Sequence, residues 1–262
     1  MDNKINYKNI LISRLKSKKA RIGVIGLGYV GLPLSILFAK KGFKIFGFDI
    51  DKNKINRIKN KKTYIERISP KDIELLSGKN ECFENFNEIK NCDVIIICVP
   101  TPLKGSNKPD LSFIKKTVAS ISKKLKFGQV IILESTSYPG TTQEEIIKKL
   151  NEKFIVGKNL FVGFSSERIN PGVNENKLST IPKVISGKTN NCLSVVSKVY
   201  GKIFKKVVRA KSLEIAEFSK LLENIYRSVN IGFINEMKFV ADKMNIDIFE
   251  ILKIAGTKPY GY

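Results

Sequence analysis

The stretch VIGLGYVGLPLS, residues 24–35, carries Gly26, Gly28 and Gly31 in G-x-G-x-x-G spacing. On its own that spacing is a weak signal. Here it leaves the apolar run RIGVIG (21–26) and enters a helical segment over residues 30–41, the strand–turn–helix setting that a dinucleotide site requires. Gly26 permits a tight turn, Gly28 lets backbone approach a pyrophosphate, and Gly31 lets the helix pack closely on the sheet. Tyr29 and Val30 complete the turn, and the helix N-terminus faces the phosphates. The next apolar run, KIFGFDI (44–50), delivers Asp49, 18 residues past Gly31, near the spacing of about 20 usual for the acid that binds a ribose. A carboxylate there accepts hydrogen bonds from ribose hydroxyls and repels a 2′-phosphate, so the sequence predicts NAD rather than NADP. Asp51 lies past the strand end and is predicted to start the next helix.

Outward from this unit the pattern repeats. DVIIICV (93–99), QVIILEST (129–136), LFVGF (160–164), PKVIS (182–186) and KKVVR (205–209) read as strands. Helices are predicted near 51–60, 111–125, 142–153 and 190–203, after a polar lead-in whose short helix carries Ile10, Leu11 and Leu15. Continuous apolar strands alternating with amphipathic helices require a parallel sheet covered on both faces, a doubly wound α/β (Rossmann) domain over residues 1–211. From Ser212, a predicted N-cap with Glu214 in the first turn, one helical period runs for roughly thirty residues, or about 50 Å. Phe218, Leu221, Leu222, Ile225, Val229, Phe233, Met237, Val240 and Met244 recur at steps of three and four. Such a stripe suits a homodimer interface or a bridge to another domain, at the start of a helical domain over 212–262, with a second helix over 247–255.

Composition removes several classes of chemistry. The 262 residues contain no histidine, which excludes Ser-His-Asp and Cys-His catalysis and His-ligated zinc; no metal site is predicted. Cys82, Cys92, Cys98 and Cys192 show no CxxC spacing, consistent with reduced thiols in a cytoplasmic protein. The longest clear apolar run, Val94–Val99, is six residues, against about 18 for a membrane span, and residues 1–20 lack a signal-peptide core, so no membrane partner is predicted. The net charge of +23 comes from lysines spread along the whole chain. That distribution argues against nucleic acid as the main partner and for attraction of a polyanionic small molecule.

CVPTP (98–102), ESTSYPG (134–140) and SSERINPG (165–172) all fall at strand C-termini, where an open α/β sheet binds ligands. They bring Thr101, Ser135, Thr136 and Glu167 to one crevice. On the long helix, Lys220 and Asn224 are four apart and share a face, with Arg227 beside them. A Lys followed by Asn one turn later suits alcohol oxidation, in which an oxyanion or a water must be held without histidine.

From about residue 20 to residue 262 the chain resembles the nucleotide-sugar 6-dehydrogenases, the UDP-glucose and GDP-mannose dehydrogenase group. GVIGLGYVGLPLS, VPTP, ESTSYPGTT, SSERINPG and KLLENIYRSVNIGFINEM match its blocks in order. ERINPG and TKPYGY look most like the branch acting on UDP-N-acetylglucosamine and related hexosamines. Ser166 departs from the family's common SPER. The resemblance implies two successive NAD-dependent oxidations at C6 of a UDP-sugar, the aldehyde being held on a cysteine as a thiohemiacetal and then oxidised to a thioester that water hydrolyses. It further implies that Lys54 joins Asp49 at the adenosine ribose, and that Thr101, Ser135 and Thr136 lie against the cofactor. By the same resemblance, Lys220 and Asn224 stabilise the oxyanion and hold the water, Thr136 and Glu167 assist hydrolysis, and Arg168, Asn170 and Arg227 meet the substrate. In the family the equivalent of TKPYGY leads into a Gly-rich loop with the nucleophilic cysteine and then a nucleotide-binding domain. The sequence is therefore expected to be the N-terminal part of a longer enzyme, inactive alone. Alternatives are a UDP-glucose 6-dehydrogenase, a β-hydroxyacid dehydrogenase-like enzyme, and a non-catalytic NAD-binding dimerisation module.

Overall fold

A computed structural model describes residues 5–105, 108–168 and 179–258. The chain divides into two compact units, residues 1–220 and 221–262. The first is built on an eight-stranded sheet whose order is β10-β9-β8-β7-β4-β1-β2-β3. Its strands are β1 (Arg21–Ile25), β2 (Lys44–Phe48), β3 (Glu81–Phe83), β4 (Val94–Ile97), β7 (Val130–Leu133), β8 (Phe161–Ser165), β9 (Lys183–Gly187) and β10 (Val207–Arg209); β5 (Leu103–Lys104) and β6 (Lys108–Pro109) form a separate hairpin. β1 pairs with β2 on one side and β4 on the other, both parallel. The chain reverses its winding direction there, which opens a crevice at the strand C-termini.

The apolar runs form central strands because both sheet faces are covered. Successive residues alternate faces: Ile22, Val24, Val94, Ile96, Val130 and Ile132 join one core cluster, while Ile25, Ile95, Ile97, Ile131 and Leu133 join the other. The first core takes in Leu11 and Leu15 of α1 (Tyr7–Lys16), Phe38 of α2 (Gly31–Lys40), and Ile55 and Ile58 of α3 (Lys52–Lys59). Ile10, expected with the α1 core residues, is exposed. Asp51 caps α3, its Oδ1 accepting from the Asn53 N–H at 2.9 Å. The second core receives Ile114, Val118 and Ile121 of α5 (Ser112–Ser122). α4 (Pro70–Glu74) and β3, which no apolar run announces, fill the edge beyond β2.

Two features depart from the sequence reading. The sheet is not wholly parallel: β9 pairs antiparallel with β8, and β10 runs parallel to β9. A strand's apolar pattern has no direction, so this reversal leaves no mark in PKVIS. The helix expected over 142–153 is instead a π-helical turn, Thr142–Ile146, followed by a 3-10 turn, Ile147–Lys149. The amides at its start are taken by a side chain. Glu217 accepts from the N–H groups of Gly140 (2.6 Å) and Thr142 (2.8 Å) and from the Thr142 hydroxyl (2.6 Å). α6 (Asn190–Tyr200) lies between β9 and β10 in the sequence.

α7 (Leu213–Lys243) starts in the first unit and continues through the second. Ser212 Oγ accepts from the Ile215 N–H at 3.2 Å, the expected N-cap. In the second unit α8 (Ile248–Ala255) follows, capped by Asp247, with Ala241 and Ile248 buried. Leu222, Ile225, Val229, Phe233, Met237, Val240 and Met244 of the stripe are exposed. Among the described residues no helix is long and apolar enough to cross a membrane.

Candidate active site

At the C-terminal ends of β1, β2, β4, β7 and β8 lies a cleft of about 750 Å³. The glycine turn forms its floor, and each glycine has a separate reason to be there. Gly26 has φ +89°, and a Cβ on it would sit 2.7 Å from the Cys98 carbonyl oxygen. A Cβ on Gly31 would sit 1.9 Å from the Gly26 oxygen, so only glycine lets α2 start so close to β1. A Cβ on Gly28 would meet nothing within 4 Å. It would project into open space beside the amides at the start of α2, a cradle suited to a pyrophosphate. Val30 is the N-cap of α2, and Tyr29 is exposed, with Arg67 donating to its carbonyl at 3.2 Å.

Asp49 is buried at the end of β2, 8% exposed. Its Oδ2 accepts from the Leu27 N–H (2.8 Å) and from Lys54 Nζ (3.2 Å); its Oδ1 accepts from the Asp51 N–H (2.9 Å). The carboxylate thus locks the turn to β2 while Oδ1 keeps a lone pair for a ribose hydroxyl. Tyr64 secures the same turn by donating to the Leu27 carbonyl at 2.6 Å. Burial, with Asp49 nearby, pushes its phenol far above the ordinary value, so it stays a neutral donor. Phe48, Ile50, Phe86 and Phe113 supply apolar walls. The residues present therefore fit a dinucleotide.

On the far side, Thr101, Ser135, Thr136 and Glu167 all line the cleft. Two of these hydroxyls join the strand ends to one another: Thr101 Oγ1 donates to the Thr136 carbonyl (2.8 Å), and Ser135 Oγ to that of Val99 (2.7 Å). Thr136 is exposed, and Glu167 is half-buried. Glu167 Oε1 accepts from the Arg168 N–H at 2.7 Å, and the Arg168 guanidinium donates to the Pro182 carbonyl at 3.0 Å. Asn170 lies outside the described residues. Lys220, half-buried on α7, is not among the lining residues. In the second unit Arg227 donates to Asn224 Oδ1 at 3.2 Å. Among the described residues no group of three or more acidic or Cys side chains could hold a metal.

The sequence reading missed a charged cluster behind this wall. Glu134, 2% exposed, also lines the cleft, and its Oε2 pairs with Lys183 Nζ at 2.8 Å, while the Tyr200 hydroxyl donates to Oε1. Burial alone would lower the Lys183 ammonium, but Glu134 and then Glu167 hold it above its ordinary value. An acid closing an apolar strand and a lysine opening one were the only signals, and both are common. Of the cysteines, Cys82, Cys92 and Cys192 are buried, and only Cys98 lines the cleft. Burial, with Glu134 adding to it, pushes the Cys98 thiol well above its usual value.

Residues 20–204 match the UDP-glucose/GDP-mannose dehydrogenase family NAD binding domain, and residues 214–262 match the family's central domain. Protein CapL of Staphylococcus aureus is 41% identical over 241 residues, covering 90% of this chain and 56% of that protein. The UDP-N-acetyl-D-glucosamine 6-dehydrogenase of Pseudomonas aeruginosa is 38% identical over 245 residues, 92% of this chain and 57% of that protein. Among solved structures, the UDP-N-acetyl-mannosamine dehydrogenase Cap5O from Staphylococcus aureus superposes with a TM-score of 0.83 at 32% identity, over 93% of this chain and 60% of that one. The chain spans a little over half the length of the curated relatives it matches.

Proposed function

Because the chain belongs to the UDP-glucose/GDP-mannose dehydrogenase family, we propose that it carries the NAD cleft and part of the catalytic machinery of a UDP-N-acetylhexosamine 6-dehydrogenase. The carrying observation is the cleft itself. The glycine turn and Asp49 bound one side, Thr136 and Glu167 the other, with about 750 Å³ between them. NAD, when bound, supplies the hydride acceptor. Asp49 and Lys54 orient its adenosine ribose, and the backbone at Gly28 approaches its pyrophosphate. Thr101 and Ser135 keep the ends of β4 and β7 in register beneath it.

Lys220 and Asn224 stabilise the oxyanion that develops at C6 and hold the hydrolytic water. Thr136 and Glu167 direct that water, and Arg168, Asn170 and Arg227 contact the sugar nucleotide. A cysteine thioester is the route by which a family member completes the second oxidation. Cys98, whose thiol is held protonated, is unsuited to that nucleophilic role. We place the domain boundary near residue 211, between β10 and α7, and propose that the exposed apolar stripe of α7 pairs with a second copy.

The test is NADH formation by the full-length protein from UDP-N-acetylglucosamine, UDP-N-acetylmannosamine and UDP-glucose. Turnover of an N-acetylhexosamine to its uronic acid is expected. Turnover of UDP-glucose alone would move the protein to the other branch, and no turnover of any would favour a non-catalytic NAD-binding module. The β-hydroxyacid dehydrogenase alternative gives way to the family match.

A further inference from the structure

Lys183 opens β9 and is 2% exposed, yet it does not line the cleft. Burying an ammonium is costly unless its charge and its donors are all satisfied. The ends of β7 and β8 and the end of α6 contribute to that. From the end of β7, Glu134 Oε2 lies 2.8 Å away. From the end of β8, the Ser166 carbonyl accepts at 3.0 Å and Glu167 Oε2 stands at 3.8 Å, an ion-pair distance. Tyr200 of α6 and Phe204 just beyond it place their rings 5.4 and 5.3 Å from Nζ. Cys98, after β4, is the remaining titratable neighbour.

The ammonium thus donates to two acceptors, Glu134 and the Ser166 carbonyl, and pairs with a second carboxylate, Glu167, at ion-pair distance. Glu134, engaged at its other oxygen by Tyr200, is fixed as the compensating charge. The pair of contacts to Ser166 and Glu167 is then what distinguishes Lys183 from an apolar residue at the same place. The reversed direction of β9 makes this possible, because it brings the first residue of the strand to the edge where β7 and β8 end.

We propose that Lys183 is a positioning residue for Glu167, its ammonium tethering the Ser166 carbonyl and the Glu167 carboxylate so that β8 presents that carboxylate to the cleft. The functional weight of this tether rests on the role given to Glu167 above. The side chain is oriented from both ends, by Lys183 at Oε2 and by the Arg168 N–H at Oε1. A lysine that holds a catalytic carboxylate without touching cofactor should act on turnover and leave cofactor affinity alone.

The test uses Lys183→Met, Lys183→Arg and, in case the first leaves Glu134 too costly to bury, the charge-balanced double variant Glu134→Gln with Lys183→Met. In this chain with NAD bound, amide exchange at residues 165–168 should accelerate about tenfold or more in Lys183→Met or the double variant. Lys183→Arg should restore protection, and the NAD dissociation constant should change less than about threefold throughout. In the full-length protein kcat should fall about tenfold or more with KM little changed, and adding Lys183→Met to Glu167→Gln should cost nothing further. Unchanged exchange, or losses that multiply in that last combination, would overturn the tether. Accelerated exchange with an unaffected kcat in Glu167→Gln would support the tether and refute the catalytic role of Glu167.

Discussion

The Asp49 carboxylate accepts from two backbone N–H groups and one lysine and still has a lone pair to offer. Any 2′-phosphate would face this buried anion, so titration calorimetry should show NAD binding at least about tenfold tighter than NADP. Asp49→Ala should weaken NAD about tenfold and erase most of the discrimination; equal affinities in the unchanged protein would remove Asp49 from the ribose. Cys98 offers an independent probe of the cleft. A raised thiol pKa means less thiolate at a given pH. Iodoacetamide should therefore label Cys98 more than about tenfold slower than free cysteine at pH 8, with a rate still climbing tenfold per unit at pH 9, and NAD should protect it. Labelling that levels off below pH 9 would contradict the burial argument. For Lys220→Ala in the full-length protein, kcat should fall about 10²-fold with NAD affinity nearly unchanged. Asp49 could be found from its spacing to the glycines. Lys183 and Glu134 could not, because a lysine and a glutamate at strand ends are ordinary until the fold puts them 2.8 Å apart.

Among the elements, β1, β2, β4, β7 and β8 were legible because strands buried on both faces must be continuously apolar. The three-residue β3, ECF, has no such run, since it is an edge strand only partly covered. The segment after Gly140 reads as an α-helix by its pattern, but its opening amides bind Glu217, which arrives from 75 residues away. A long-range contact of that kind is invisible to local periodicity. Glu217 is fully buried and holds the start of α7 to the loop that follows β7. Glu217→Ala would leave the Gly140 and Thr142 N–H groups and the Thr142 hydroxyl without that acceptor, a loss of about 2–4 kcal/mol. A lower melting temperature, with faster amide exchange over residues 140–146, is the expected reading. An unchanged melting curve would show that water replaces the carboxylate.

At the scale of the whole molecule, the cleft contains no thiol ready to ionise. The 262-residue chain should accordingly bind NAD yet form no uronic acid from UDP-N-acetylglucosamine or UDP-glucose; robust conversion to the uronic acid would demand a mechanism without a reactive cysteine. The net charge of +23 on this chain should make capture of an anionic nucleotide salt-sensitive, so its NAD dissociation constant should rise between 50 and 300 mM salt. The exposed stripe of α7 predicts a dimer by sedimentation, and Val229→Glu or Phe233→Glu should shift the population toward monomer. The turnaround between β8 and β9 carries one more implication. A parallel crossover must span the sheet from one edge to the other, so its length is constrained by geometry. Here the chain leaves β8 and re-enters at β9 on a single edge, the edge that holds the cleft. Strand order therefore sets no fixed length on the connection between Ser165 of β8 and Lys183 of β9. A change of length there should accordingly leave the glycine turn and Asp49, which sit on β1 and β2, undisturbed, read as an unchanged NAD dissociation constant.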